Sequence, residues 1–423
     1  MILFEYDVFR ETGFDEAQQA QFKHYLNQQW QQALFWQEGA TTKQQFLQWE
    51  GSTIRANNYV GQLCHPTLQV TILPKFLKEQ LVTPAAFFDH LSHYISYSDY
   101  VPVRGVAFTT AAQPVTLPSF QSFYLYWFLV WINDLLQVQA FHQFEEQVYT
   151  TPYLKGKLKV APYLQKNVTK GRWQLFQVQG QRFLYDNLLN RLLKYTLHTF
   201  VAQTTHRPTA TLAQALLAKL ESVRLVACTP QDCLKVRLNP YYARYQVVVD
   251  FCRYLLQAQQ LQQGQGSAVG VSFLLPMERI FETFLSQLIA LHFPSKRPQL
   301  QSEQYLARNA GKPVFNLRND VYLAAPNWVI DFKYKLLHPQ SRTLGVAAQD
   351  IYQLLTYLSL RNARKGFLLY PAPNHRPPVG GNFTIQLPYG EVEIVAQEIT
   401  MWAAQASDLT GIIQQELTQV LKE

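Results

Sequence analysis

Asp331 and Lys333 stand two residues apart in Trp328-Val329-Ile330-Asp331-Phe332-Lys333-Tyr334, a run of aromatic and β-branched residues that predicts a strand. Alternate strand residues share a face, so an acid and an amine project together while Ile330, Phe332 and Tyr334 point to the other side. A second acid, Asp320, sits in the strand-like segment Val314 to Leu323, and Glu282 lies in a predicted helix over Pro276 to His292. Such a set suits hydrolysis of a phosphodiester. Hard carboxylate oxygens hold Mg²⁺, and a nearby cation orients or deprotonates the attacking water. The competing reading is a strand-end salt bridge between Asp331 and Lys333 or Lys335.

The neighbouring elements must bring these groups together. Ala325-Pro326-Asn327 supplies a turn between the two acid-bearing strands. Downstream, Asp350 to Tyr357 reads as a helix in which Gln353 and Tyr357 are four apart and share a face. The bland reading of the pair is a polar patch on a half-buried helix. Gly366 to Pro371 follows with the apolar pattern of a buried strand.

Upstream, a Gln-rich helix is predicted over about Asp15 to Glu38, with strands at Val60 to Leu63 and Leu68 to Leu73, the latter closed by Pro74 and Lys75. From Ser119 to Val148 an aromatic-rich helix runs into Glu145-Glu146-Gln147, and Pro152 to Val160 alternates like a strand. That alternation puts Lys155, Lys157 and Lys159 on one face, which fits a phosphate-tracking surface or a solvated edge. Helical pattern resumes at Asp186 to Lys194. The polar, glycine-containing stretch Gln257 to Ser267 reads as a linker and sets the last domain boundary.

With 423 residues, 48% of them hydrophobic and 16% charged, the chain is long enough for two or three folded domains and far from the composition of disorder. Its 37 Lys and Arg against 29 Asp and Glu leave a net charge of +8, which favours polyanionic partners. Cys64, Cys228, Cys233 and Cys252 are too scattered for a disulfide scaffold, and no second pair matches Cys228 and Cys233 as a zinc site. The apolar run Phe123 to Ile132 is too short to span a bilayer, and Met1-Ile2-Leu3-Phe4-Glu5 lacks the sections of a signal peptide, so a cytoplasmic protein without a membrane partner is expected. Gly311-Lys312 runs into Pro313 and has no glycine five residues earlier. It is not a nucleotide-cradling loop, so any NTP-driven step belongs to another chain.

The order of Glu282, Asp320, Asp331-Phe332-Lys333 and Gln353-x-x-x-Tyr357 resembles the PD-(D/E)xK nuclease superfamily, with Asn319 where the family usually has proline. Met277 to Glu282, Asp331 to Lys335 and Asp350 to Gln353 are further similar to blocks of the McrC family, the nuclease subunits of McrBC-type 5-methylcytosine-specific restriction systems. So are Tyr59-Val60-Gly61, Ile72-Leu73-Pro74-Lys75, Leu154-Lys155-Gly156-Lys157-Leu158 and Asn187 to Lys194, in the family's order.

The resemblance implies an α+β multidomain chain. A β-containing partner-docking region would span 1-110, a largely helical middle 111-260, and a C-terminal α/β PD-(D/E)xK endonuclease with a mixed central sheet 261-423. It implies a partner AAA+ GTPase of McrB type that recognises modified double-stranded DNA, while this chain stimulates the GTPase and cuts. Asp320 and Asp331 would bind Mg²⁺ or Mn²⁺, Lys333 would position water, Glu282 would support the metal or water shell, and Gln353 and Tyr357 would steady the site or contact DNA. Two rivals carry their own expectations. An autonomous DNA repair nuclease would cut without any NTPase, and a non-catalytic adaptor of a ring NTPase would keep Asp331 and Lys333 only as a salt bridge.

Overall fold

The structure, a computed structural model, describes residues 1–9, 16–36, 45–50, 53–65, 68–80, 82–97, 120–201, 204, 206–265, 272–388 and 390–422. The chain divides into two compact units. One combines Met1–Phe123 with Ala268–Glu423, and the other is Tyr124–Ser267.

The first unit opens with β1 (Ile2–Phe4), β2 (Val8–Phe9), α1 (Glu16–Trp36), β3 (Leu47–Glu50), β4 (Thr53–Ala56), β5 (Tyr59–Cys64), β6 (Gln69–Leu73) and α2 (Pro84–Tyr97). The predicted Gln-rich helix is α1, whose Phe22, Leu26 and Trp30 are buried among Phe46, Leu47 and Tyr59. Helix α3 (Phe120–Val138) leads into the second unit, with β7 (Gln143–Thr151), β8 (Lys157–Leu158), α4 (Val160–Lys166), β9 (Phe176–Leu184), α5 (Leu188–Val201), α6 (Arg207–Lys219), α7 (Pro230–Cys233) and α8 (Tyr245–Gln265). The chain then re-enters the first unit as β10 (Phe273–Pro276), α9 (Met277–His292), β11 (Pro298–Asn309), β12 (Lys312–Leu323), β13 (Trp328–Phe332), α10 (Ala348–Arg361), β14 (Lys365–Ala372), β15 (Gly380–Leu387), β16 (Gly390–Thr400) and α11 (Ala406–Val420).

The second unit departs from three sequence expectations. The aromatic helix stops at Val138, and Gln143–Thr151 is a strand paired along its full length with β9. Of the strand expected over Pro152 to Val160 only Lys157–Leu158 pairs, and helix begins at Val160. Gly156 between the two lysines has φ +105, and a Cβ there would meet the Gln179 carbonyl oxygen at 2.5 Å, so the sharp entry into β8 requires glycine. The expected linker is helical as far as Gln265, because Gln, Ala and Leu favour helix even without an apolar stripe. Asn187, quoted from the sequence as part of a block, accepts from the Asn190 backbone N–H at 3.1 Å and so caps the first turn of α5.

In the first unit, β10 pairs antiparallel with β5 to complete a four-stranded sheet of order β1-β6-β5-β10, and it runs directly into α9. The larger sheet has order β11-β12-β13-β14-β16-β15, with β13, β14 and β16 parallel and the outer strands antiparallel. Helix α10 covers one face, burying Leu354, Tyr357 and Leu358 with Val329, Leu368, Tyr370 and Ile394. The other face carries Phe332 and Tyr334, whose rings meet Phe281 of α9. The aliphatic and aromatic composition of β13 and β14 suits strands buried on both faces.

Candidate active site

Strands β12 and β13 pair only from Val321↔Ile330 to Leu323↔Trp328 and then splay apart. At the parting, the Asp320 carboxylate replaces the missing ladder bond and accepts from the Phe332 backbone N–H at 2.7 Å. Asp331 lies beside it on β13, only 2% exposed. Lys333 continues β13 through its backbone N–H, which donates to the Leu369 carbonyl at 2.9 Å, and its ammonium lies 2.6 Å from Asp331 Oδ2.

The helix opposite completes the arrangement. Lys333 Nζ donates to Gln353 Oε1 at 2.8 Å, Gln353 Nε2 donates to the Tyr357 hydroxyl at 2.8 Å, and that hydroxyl donates to the Arg318 carbonyl at 3.1 Å. The i,i+4 spacing of Gln353 and Tyr357 thus forms one relay from the lysine to the strand bearing Asp320. Glu282 enters from α9, where Oε1 accepts from Gln301 Nε2 at 2.5 Å, and its charge acts on both aspartates. All six residues singled out from the sequence therefore belong to one neighbourhood.

Burial, then the adjacent Asp331, then Glu282 hold the Asp320 carboxyl well above the usual carboxylate range. Burial also raises Asp331, with the Lys333 ammonium opposing. Burial alone would lower the Lys333 pKa, but Asp331, Asp350 and Asp320 together hold it above its ordinary value.

The strand-end salt bridge considered for Asp331 is present with Lys333, whereas Lys335 pairs with Asp350 at 3.0 and 2.9 Å. Asp350 joins the neighbourhood beyond the six residues expected from the sequence. It is 4% exposed, lies 4.0 Å from Lys333 Nζ, and its charge raises Asp331. Its signal was its position three residues before Gln353, on the same helix face.

Lys75 gives the Ile72-Leu73-Pro74-Lys75 block a place in this neighbourhood. Its ammonium donates to the Tyr334 carbonyl at 2.6 Å and sits 4.0 Å from the centre of the Tyr334 ring, while the Tyr334 hydroxyl donates to Glu5 at 2.5 Å. The end of the acid-bearing strand is thereby fixed to the four-stranded sheet.

The donor chemistry suits a hard divalent ion. Asp331 is buried with the Lys333 ammonium 2.6 Å from its Oδ2, and Asp320 and Asp331 repel each other. Among the described residues no group of three or more His, Cys, Asp or Glu could by itself hold a metal. An ion retaining several waters and taking one or two carboxylates is the kind such a pair could seat.

A mixed α/β unit with an acid pair and a lysine at a strand splay defines a class before it defines a family. The family follows from a match of residues 54–371 to the McrBC 5-methylcytosine restriction system component family, and the chain belongs to it. Among solved structures it is similar to the refined half-complex from a tetradecameric assembly of Thermococcus gammatolerans McrB AAA+ hexamers with bound McrC, with TM-score 0.62, 16% identity and 100% of both chains covered. At that identity the likeness establishes a shared fold. The cryo-EM structure of the Thermococcus gammatolerans McrBC complex aligns over 69% of this chain and 87% of that chain, with TM-score 0.42 and 16% identity. No curated protein matches the chain.

Proposed function

We propose that this chain is the DNA-cutting subunit of its restriction system, a Mg²⁺-dependent endonuclease with a PD-(D/E)xK centre. The observation that carries the reading is the convergence of Asp320, Asp331 and Lys333 where β12 and β13 part, with Gln353 and Tyr357 linking the lysine to the neighbouring strand.

Asp320 and Asp331 would hold the metal, Mg²⁺ or Mn²⁺, with Glu282 supporting the surrounding water. When bound, the ion polarises a phosphoryl oxygen and lowers the pKa of its water. Lys333, beside Asp331, is placed to orient a water and to offset charge on the phosphate. Gln353 fixes the ammonium from one side and Asp331 from the other, so the lysine needs little reorganisation during the reaction.

The partner, by likeness to the McrB hexamers with bound McrC, is an AAA+ GTPase of McrB type, which this chain docks on and stimulates. Double-stranded DNA is the substrate. The Lys333–Asp331 ion pair is also what a non-catalytic adaptor would retain, so the test must separate the two. Methylated and unmethylated plasmid are incubated with the purified chain, with and without its genomic-neighbour NTPase, in GTP and Mg²⁺, comparing wild type with Asp331→Ala. Cutting that needs partner and methylation, and that vanishes in the variant while GTPase stimulation survives, supports the proposal. Cutting without the NTPase favours an autonomous nuclease, and stimulation without any cutting favours the adaptor.

A further inference from the structure

Strand β12 does not end at the acid pair. Beyond the splay at Asp320 it continues outward to Lys312, paired only with β11. Eight residues at about 3.3 Å each carry this two-stranded arm roughly 26 Å from the site. Residues 305–313 are all exposed, and the arm displays Phe315 at 70%, Tyr305 at 51% and Leu306 at 49% exposure. Phe315 holds φ 58, in the left-handed region that bulky side chains avoid. Between Ser302 and Asn319 the basic residues are Arg308, Lys312 and Arg318, and the one acid is Glu303, opposite Arg318 in the register. Among the described residues none forms an ion pair with those three cations.

We infer that this arm is a DNA-gripping ribbon that follows the groove of the duplex being cut, with Arg308, Lys312 and Arg318 on the phosphate backbone. The inference rests on the nuclease reading of Asp320 and Asp331. Two observations select DNA as the occupant. The arm's charge is complementary to a polyanion. The arm is also continuous with the acid pair, since strand alternation puts Arg318 on the face of Asp320 and the Arg318 carbonyl accepts from Tyr357 of the site. A duplex with a backbone phosphate at Asp320 therefore lies beside the arm. The major groove, about 12 Å wide, admits a two-stranded ribbon, with exposed Phe315, Tyr305 and Leu306 available to sugars and base edges.

The test measures binding of a short duplex by the full chain in Ca²⁺ over a range of salt, comparing wild type, R308Q/K312Q/R318Q and K312Q alone. In the triple variant, affinity should fall at least about tenfold and the slope of log K against log salt should shrink by about 3; K312Q alone should shrink it by about 1. Cutting by the chain with its partner should weaken through KM and recover at high DNA concentration. Unchanged affinity and slope in a triple variant that melts like wild type would overturn the assignment. So would a triple variant that turns a dimer into a monomer in sedimentation with DNA affinity intact, since the arm would then pair with a second copy. The two readings fail separately. Arm-dependent binding without cutting under any condition removes the nuclease and leaves the ribbon, and unaltered cutting by the triple variant removes the ribbon and leaves the nuclease.

Discussion

Two buried acidic centres in the same sheet are treated oppositely. Glu398, on β16 and fully buried, receives Arg376 through two bonds of 2.6 and 2.8 Å and the backbone N–H groups of Val379 at 3.0 Å and Leu337 at 3.3 Å. Its charge is answered by the protein. Asp320 and Asp331 lie side by side, repel each other, and share one lysine, whose ammonium lies 2.6 Å from Asp331 Oδ2. A carboxylate that only holds a fold together is satisfied, because an uncompensated buried charge is costly. That difference is what the metal-holding role proposed for the aspartate pair requires.

The sharpest way to break this contrast is to remove one acid from each centre. Asp331→Asn should lower cutting by about 10³-fold or more, while leaving the metal-free protein as stable as wild type or more so, because a repelled charge is gone. Adding Mg²⁺ should raise the melting temperature of wild type and not of the variant. A variant destabilised without metal would mean that Asp331 is structural. Arg376→Met should do the reverse, costing about 3 to 5 kcal/mol by stranding Glu398, as read by chemical denaturation, with little change in cutting per folded molecule.

Glu5 supplies a third, intermediate case, since it is buried but its partners include the neutral Tyr334 hydroxyl. Burial pushes its pKa up to about 7, with Lys75 opposing. A folded-state pKa above the unfolded value means that the native state binds the extra proton. Stability on this account is fullest below the unfolded pKa near 4.5 and declines as pH rises to about 7, by a few kcal/mol. Glu5→Gln should flatten that decline in denaturation curves taken across the window. A decline that persists in the variant would assign it to other groups.

The local pieces of the site were legible in sequence because period-two alternation placed Asp331 and Lys333 on one face, and four-residue spacing did the same for Gln353 and Tyr357. What stayed hidden was set by distant partners. Lys75 meets Tyr334 across 259 positions and Glu5 meets it across 329, and no local pattern encodes such pairings. The outward run of β12 was equally hidden, since strand composition does not say how many neighbours a strand has. Gln257 to Gln265 misled for another reason, as a polar helix lacks the apolar stripe that announces one.

Asp350 sits between the two treatments, and Lys335 decides on which side. The carboxylate is buried, Lys335 meets both its oxygens, and Lys333 is 4.0 Å away. Lys335 is itself 54% exposed, so the pair contributes under about 1 kcal/mol to stability. Its larger effect should be on the site, because without it the Asp350 charge competes with Asp331 for the Lys333 ammonium. Lys335→Met should therefore slow cutting at saturating DNA by about three- to tenfold, a barrier change of order 1 kcal/mol, and Lys335→Arg should restore most of it. If the Met variant cuts like wild type, Asp350 belongs with Glu398 as a carboxylate that serves the fold alone, and the acid pair stands without it.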